Sequence, residues 1–173
     1  MPGYRIIGIN HDDLADGSGK AGLTFETTND VLYKHILNDT KTNVGGWRSS
    51  KLRARLNSGD LWALLPAELQ SKAKAVTKMT DNEGGGSAGT PTATNDKVFI
   101  LSTTEIYGDL QSDGALYEYY ATSRYSGPEI VCYFSTRSVS PSDSTDFIYV
   151  DPFGRWSSGS ANSAGNVFPA WCF

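Results

Sequence analysis

The chain reads as an α+β protein whose two ends meet in one sheet, and three observations predict it. Residues 4–10 (YRIIGIN) and 167–173 (VFPAWCF) are apolar, partly β-branched or aromatic runs of strand length. Between them, residues 47–73 carry one helix-start signal after another. The stretch from Ile130 to Phe173 then alternates like strands at STRSV, FIYV and VFPAWCF, with turn residues between. Terminal strands, helices in the first half and an irregular strand-and-loop second half describe an α+β layout, not a bundle.

The elements follow in order. Residues 23–26 form a second strand, a hairpin partner of the first across an Asp- and Gly-rich loop. Asp30 caps a helix over residues 31–37, with Leu32 and Ile36 four apart on one face. Ser49 or Ser50 caps a helix over residues 51–56, with Leu52 and Leu56 facing inward and Arg53 and Arg55 outward. Asp60 caps a short helix over residues 61–65. Pro66 starts another that runs to about Ala73, with Glu68 in its first turn. Residues 75–77 are a short strand. Residues 80–96 are poor in apolar side chains and rich in Gly, Thr and Ser, which predicts a mobile loop within the domain. Residues 98–102 (VFILS) are a continuous apolar run, the mark of a central strand. Thr103 and Thr104 begin a helical turn through Ile106, and residues 116–120 add a Tyr-rich one. Tyr117, Tyr119, Tyr120 and Tyr125 suit either core or site, because a tyrosine can bury its ring and wet its hydroxyl.

At 173 residues the chain fits one domain, residues 1–173, with a real core. A net charge of -4 without a basic cluster argues against nucleic acid or an anionic membrane as partner. No apolar run reaches the length of a membrane span, so no membrane insertion is expected. The first 13 residues hold no basic segment followed by an apolar core, so no signal peptide is expected. Cys132 and Cys172 are too few for a disulfide scaffold, and spacing leaves open whether they pair.

Three motifs fail on their context. Gly85-Gly86-Ser87-Ala88-Gly89 matches G-x-S-x-G, but a nucleophile elbow needs a strand before and a helix after, and both flanks read as loop. Gly17-Ser18-Gly19-Lys20 lacks the first glycine of a phosphate loop, with Leu14 in its place, and Ala21 stands where Ser or Thr is needed. Asp12, Asp13 and Asp16 do not make an EF-hand, since Leu14 and Leu23 occupy ligand positions; a weak calcium site of another kind stays open there. Two histidines and two cysteines form no metal-ligand spacing, and no cofactor, metal or catalytic residue is assigned. Asn38-Asp39-Thr40 fits a glycosylation acceptor, relevant only to a secreted eukaryotic protein.

The tail is compositionally apart. From Ile130 to Phe173 it has no Lys, Glu, Gln, Met, Leu or His, and it sets aromatic residues among small polar ones. Tyr, Ser, Gly and Asn with an occasional Arg or Trp make up binding surfaces that tolerate variation. The alternative is an ordinary run of strands and turns closing a small sheet.

Gly45-Gly46-Trp47, Ser50, Leu52-Arg53 and Leu56-Asn57 resemble the GGW-x-x-S-x-L-R-x-x-L-N block of a bacterial and prophage domain family. Leu65-Pro66, Val76-Thr77-Lys78, Asp96-Lys97-Val98-Phe99-Ile100-Leu101-Ser102 with Glu105, and the ending (Thr136-Arg137-Ser138, Phe147, Val150, Gly154, Val167, Pro169-Ala170, Cys172) fit it too. Ser135-Thr136 stand where that family often has an apolar pair, and Phe168 where it often has Arg. The resemblance implies a C-type-lectin-like fold, in the branch shared with formylglycine-generating enzymes, with N- and C-terminal strands paired in one antiparallel sheet. Members of this group serve as variable proteins of diversity-generating retroelements, in which Asn codons are randomised. A randomised pyrimidine-ending Asn codon never yields Lys, Glu, Gln, Met or Trp. The variable region would then span about residues 132–166. The candidate ligand-binding positions are Tyr133, Ser135, Ser140, Asp143, Thr145, Asp146, Ile148, Tyr149, Asp151, Phe153, Arg155, Ser157, Ser158 and Ser160, with Pro152 and Ser163 beside them, while Trp156 and Trp171 would be invariant scaffold.

The reading this supports is a non-catalytic ligand- or receptor-binding protein, displayed on a phage tail or bacterial surface. Its partner would be a protein or glycan on a cell surface, and it would act as a homo-oligomer or attached to a larger particle. Tyr133, Tyr149 and Phe153 would supply apolar anchors, and Asp143, Asp146, Asp151 and Arg155 charge. The alternatives are a structural decoration domain of a phage particle, or a formylglycine-generating-type copper enzyme using Cys132 and Cys172. Calcium-dependent sugar binding is disfavoured, since no Glu-Pro-Asn or Trp-Asn-Asp group is present.

Overall fold

Both ends of the chain run in one antiparallel sheet. The computed structural model describes residues 3–29, 32–108, 111–123 and 132–173. β1 (Tyr4–Ile9) forms a hairpin with β2 (Leu23–Thr27), β2 pairs with β11 (Ala170–Cys172), and β11 pairs with β6 (Val98–Phe99). The order β1-β2-β11-β6 places β2 between the two terminal strands, which share the sheet without pairing directly. The core face stacks Phe25 on Trp171 with ring centroids 5.9 Å apart. The VFILS run is an edge strand, not a central one. Only Val98 and Phe99 pair in this sheet, while Ile100 and Leu101 leave it and stay buried. The Leu101 carbonyl instead accepts from Arg137 N–H at 3.0 Å.

The helical segment forms largely where capping residues allow. α1 (Lys51–Ser58) starts at Ser50, whose hydroxyl accepts from Arg53 N–H at 3.2 Å; such a cap contributes about 1 kcal/mol. Leu52 and Leu56 are fully buried, as their spacing requires. Gly59 caps α2 (Asp60–Leu64) and Pro66 caps α3 (Ala67–Lys72). Arg53 turns inward to a buried carboxylate instead of to solvent. Asp96 accepts from Arg53 Nε at 2.6 Å, from Trp47 Nε1 at 3.0 Å and from Thr94 Oγ1 at 2.7 Å. Asn57 accepts from Lys97 and Val98 N–H and donates to the Val98 carbonyl, which ties α1 to β6. Gly46 has φ +53, and a Cβ there would lie 2.2 Å from the Asp81 carbonyl, so the turn before Trp47 admits only glycine.

Two expected elements differ. Residues 32–37 are not helical: Tyr33 sits at φ +62, outside helical space, and β3 (Lys34–His35) pairs with β10 (Gly165–Asn166). Leu32 is buried and Ile36 half-buried, so a spacing of four arises here without a helix; Asp30 and Val31 lie outside the described residues. Residues 80–96 are not a mobile loop. β4 (Val76–Asp81) and β5 (Pro91–Asp96) pair along their full length. The Asp81 carboxylate then accepts from Glu83, Gly84 and Gly89 N–H and fastens the connection. β-branched threonines carry these strands, which an apolar count misses.

α4 (Thr103–Tyr107) carries a full capping box between Ser102 and Glu105, and α5 (Glu118–Thr122) follows. Tyr117 and Tyr120 are buried with their hydroxyls on the carboxylates of Asp12 and Glu26, whereas Tyr125 lies outside the described residues. The tail builds a second sheet in the order β3-β10-β7-β8-β9, with β7 (Phe134–Val139), β8 (Asp146–Val150) and β9 (Trp156–Ser160). β7 and β8 coincide with STRSV and FIYV; β9 (WSSGS) has no apolar alternation to announce it.

A buried charge network locks β7 to the rest. Lys78 on β4 reaches Asp12 at 2.6 Å and Glu105 at 2.5 Å, and Arg137 on β7 donates to Glu105 at 2.8 Å. Burial raises the Asp12 pKa, but Lys78 and hydrogen bonds from Lys78, Thr24 and Tyr117 outweigh it and hold the carboxyl at about 2.

Candidate functional site

The second sheet carries a pocket of about 540 Å³. Its lining comes from β3, β10, β7, β8, β9 and the segments beside them, and includes Lys34, Tyr133, Ser135, Ile148, Tyr149, Pro152, Ser160, Ser163 and Asn166. Tyr149 on β8 and Tyr133, just before β7, meet edge to face with centroids 5.3 Å apart. Two glycines make room. A Cβ at Gly159 would lie 2.5 Å from the Tyr149 ring, and one at Gly165 would lie 2.4 Å from Ser135 Oγ. Asn166 Nδ2 donates to the Tyr133 carbonyl at 2.6 Å and so fixes the segment that presents the tyrosine.

The β8–β9 turn forms a raised rim. Asp151 accepts from Phe153 N–H at 2.8 Å, from Arg155 N–H at 2.9 Å and from Arg155 Nε at 2.8 Å. Partial burial raises the Asp151 pKa, and those donors outweigh it, so the carboxyl titrates below its usual range. Held this way, the turn exposes Phe153 (75%) with the Arg155 guanidinium 5.0 Å from its ring centroid, and Trp156 (53%) beside it. Exposed aromatics beside an Arg on a rigid turn are the residue types that dominate binding interfaces.

The predicted positions divide into three groups. Tyr133, Ser135, Ile148, Tyr149, Pro152, Ser160 and Ser163 line the pocket. Asp151, Phe153 and Arg155 build the rim, with Ser157 and Ser158 exposed on β9. Asp143, Thr145 and Asp146 lie at the other end of β8 and do not line the pocket; the Asp143 carboxylate there accepts from Thr145 N–H at 2.7 Å. Ser140 is buried, and its hydroxyl accepts from Ser142 N–H within that turn, so it presents nothing to a ligand. Trp156 is exposed beside the rim, whereas Trp171 is core. Lys34, Gly159, Gly165 and Asn166 are not among the predicted positions. Lys34 falls within the expected helix over residues 31–37, and the glycines act only through space that another strand fills.

The acidic loop does not gather. Asp12 turns inward to Lys78, Asp13 pairs with Lys20 at 2.8 Å, and Asp16 accepts from Ser18. Among the described residues, no group of three His, Cys, Asp or Glu side chains is placed to hold a metal ion. Cys132 lines the pocket, and Cys172 is buried against Thr24 and Asp12. Burial pushes the Cys172 thiol up to about 12. A second concavity, apolar, lies between the first sheet and α2–α3, floored by Phe25 and Trp171. Trp171 Nε1 and Thr27 Oγ1 at its lining are buried without a hydrogen-bond partner among the described residues. No helix among the described residues is long and apolar enough to cross a membrane.

Fold and site together define an α+β protein with a hydroxyl-rich, aromatic-edged pocket on its C-terminal sheet. Residues 22–173 match the domain of unknown function DUF6273, and the chain belongs to that family. No curated protein and no solved structure matches it.

Proposed function

We propose that this chain is a non-catalytic ligand-binding protein that holds its target with the pocket and rim of the C-terminal sheet. The observation that carries the reading is where the singled-out positions fall. Positions singled out by tail composition and by the codon argument recur around one pocket and one rigid turn. The architecture we propose for it is C-type-lectin-like. Support comes from the two terminal strands sharing one sheet and from an irregular C-terminal half that carries the pocket. On this reading residues of about 132–166 are varied by a retroelement while β7, β8 and their buried network hold the backbone, and the domain is displayed on a phage particle or bacterial surface. Its target is a protein or glycan of a cell surface. The copper-enzyme alternative needs two thiolates at one centre; Cys172 is a buried thiol on the first sheet and Cys132 borders the pocket on the second, which weighs against it.

The test has two arms. Sequencing sibling isolates with their flanking DNA should reveal a near-copy of the segment coding residues 132–172, carrying adenines at the varied positions. Replacing Tyr149 and Phe153 together by Ala should abolish retention on target cells while leaving the melting temperature within about 3 °C, since neither side chain is in the core. Siblings without variation or template, together with undiminished binding by the double variant, would sink the proposal.

A further inference from the structure

The geometry points to an acidic sugar as the ligand of the C-terminal pocket, an inference that rests on the binding-surface reading above. Among the described residues Lys34 is the only charged one in the lining. Among the described residues nothing engages its ammonium, nor the hydroxyls of Tyr133, Tyr149, Ser135 and Ser163. A partly enclosed pocket therefore holds one unneutralised cation, four unused hydroxyls and an aromatic pair. Lys34 is exposed and keeps its hydration, so it attracts an anion by charge alone, an attraction that salt screens. The hydroxyls accept and donate alike, which suits a ring carrying several OH groups. The two tyrosines offer an apolar edge for the C–H face of such a ring. A uronic or sialic acid combines these features, and about 540 Å³ lies within the roughly 300–1,000 Å³ of small-ligand sites.

An acidic peptide fits less well. β10, β7 and β8 are interior strands, paired on both sides. A peptide adding a strand would have to do so at the edges, β3 or β9, and not across the interior of the pocket. Recognition falls to side chains, and those are hydroxyls. Gly159 and Gly165 keep the floor low enough for a ring to enter.

The test is retention of the full chain on immobilised oligosaccharides ending in glucuronate, sialate or glucose, with N-acetyl-aspartate amide as competitor. The expected result is retention on an acid-ended sugar at least tenfold stronger than on the glucose-ended one, weakened by salt. Lys34→Gln should reduce the preference for acid-ended over glucose-ended sugar roughly tenfold to a hundredfold, the range for a hydrogen bond to a charged group. Tyr149→Ala should lower retention on every sugar. Equal retention of acidic and neutral sugars, an unchanged preference in Lys34→Gln, or displacement by N-acetyl-aspartate amide as effective as by free glucuronate would overturn the assignment. If no sugar is retained while target cells still bind through Tyr149 and Phe153, the binding surface stands and this ligand class falls.

Discussion

Replacing Arg137 by methionine strips a fully buried guanidinium of every bond it makes. It donates to Thr80 Oγ1, to the carbonyls of Met79, Ile100 and Asp113, and twice to Glu105. Methionine nearly matches the volume, so cavity formation contributes little. The loss comes from Glu105, left buried with Lys78 as its remaining cation, and from three backbone carbonyls that lose the donation from Arg137. Breaking one side of a buried ion pair costs about 3–5 kcal/mol. A domain of this length has about 5–15 kcal/mol in total, and each kcal/mol moves the melting temperature by about 2–4 °C. Calorimetry should therefore show a fall of about 6–20 °C, with the pocket lost at the same temperature, because β7 supplies both the network and the pocket floor. The double variant with Glu105→Gln should lose less than the sum of the two singles, since each alone leaves the other unpaired. A fall below about 2 °C for Arg137→Met, or strict additivity in the cycle, would refute the claim that this pair anchors the second sheet.

The pocket floor gives a sharper probe of geometry. Gly159→Ala places a methyl 2.5 Å from the Tyr149 ring and must displace it; binding should drop at least tenfold while stability falls by about 1–3 kcal/mol, read by parallel titration and melting. Acid should destabilise the fold through Asp12. Its folded pKa of about 2 lies below the usual 3.8, so its contribution is full above about pH 4 and is lost as pH falls toward 2. The loss amounts to about 2 kcal/mol in denaturant titrations and is absent in Asp12→Asn. Native thiol labelling at pH 8 should modify Cys132 and spare Cys172, whose thiol is buried and held near 12; equal rates at the two would contradict the burial.

Local signals in the chain determined much of this protein. The Ser50 cap with Leu52 and Leu56, the Ser102–Glu105 start of α4, the end strands and the STRSV and FIYV strands rest on neighbours a few residues apart, and such patterns survive in one dimension. The tail's composition likewise marked the residues around the pocket. Tertiary structure alone decided the rest. Residues 34–35 are a strand because Gly165 and Asn166 offer them a ladder, against a helical spacing of Leu32 and Ile36. Residues 91–96 are a strand because threonines pair across to β4, with buried Asp96 accepting from Trp47 and Arg53 some forty residues away in the chain. Arg53 looked like surface and is a clamp; Ser140 looked like surface and is a buried turn residue. Lys34 became a candidate ligand group only when β3 and β10 brought it beside Tyr133 and Tyr149. In each case the deciding term was the partner across space that satisfies a backbone group or a charge, and long-range pairing leaves no trace in local periodicity.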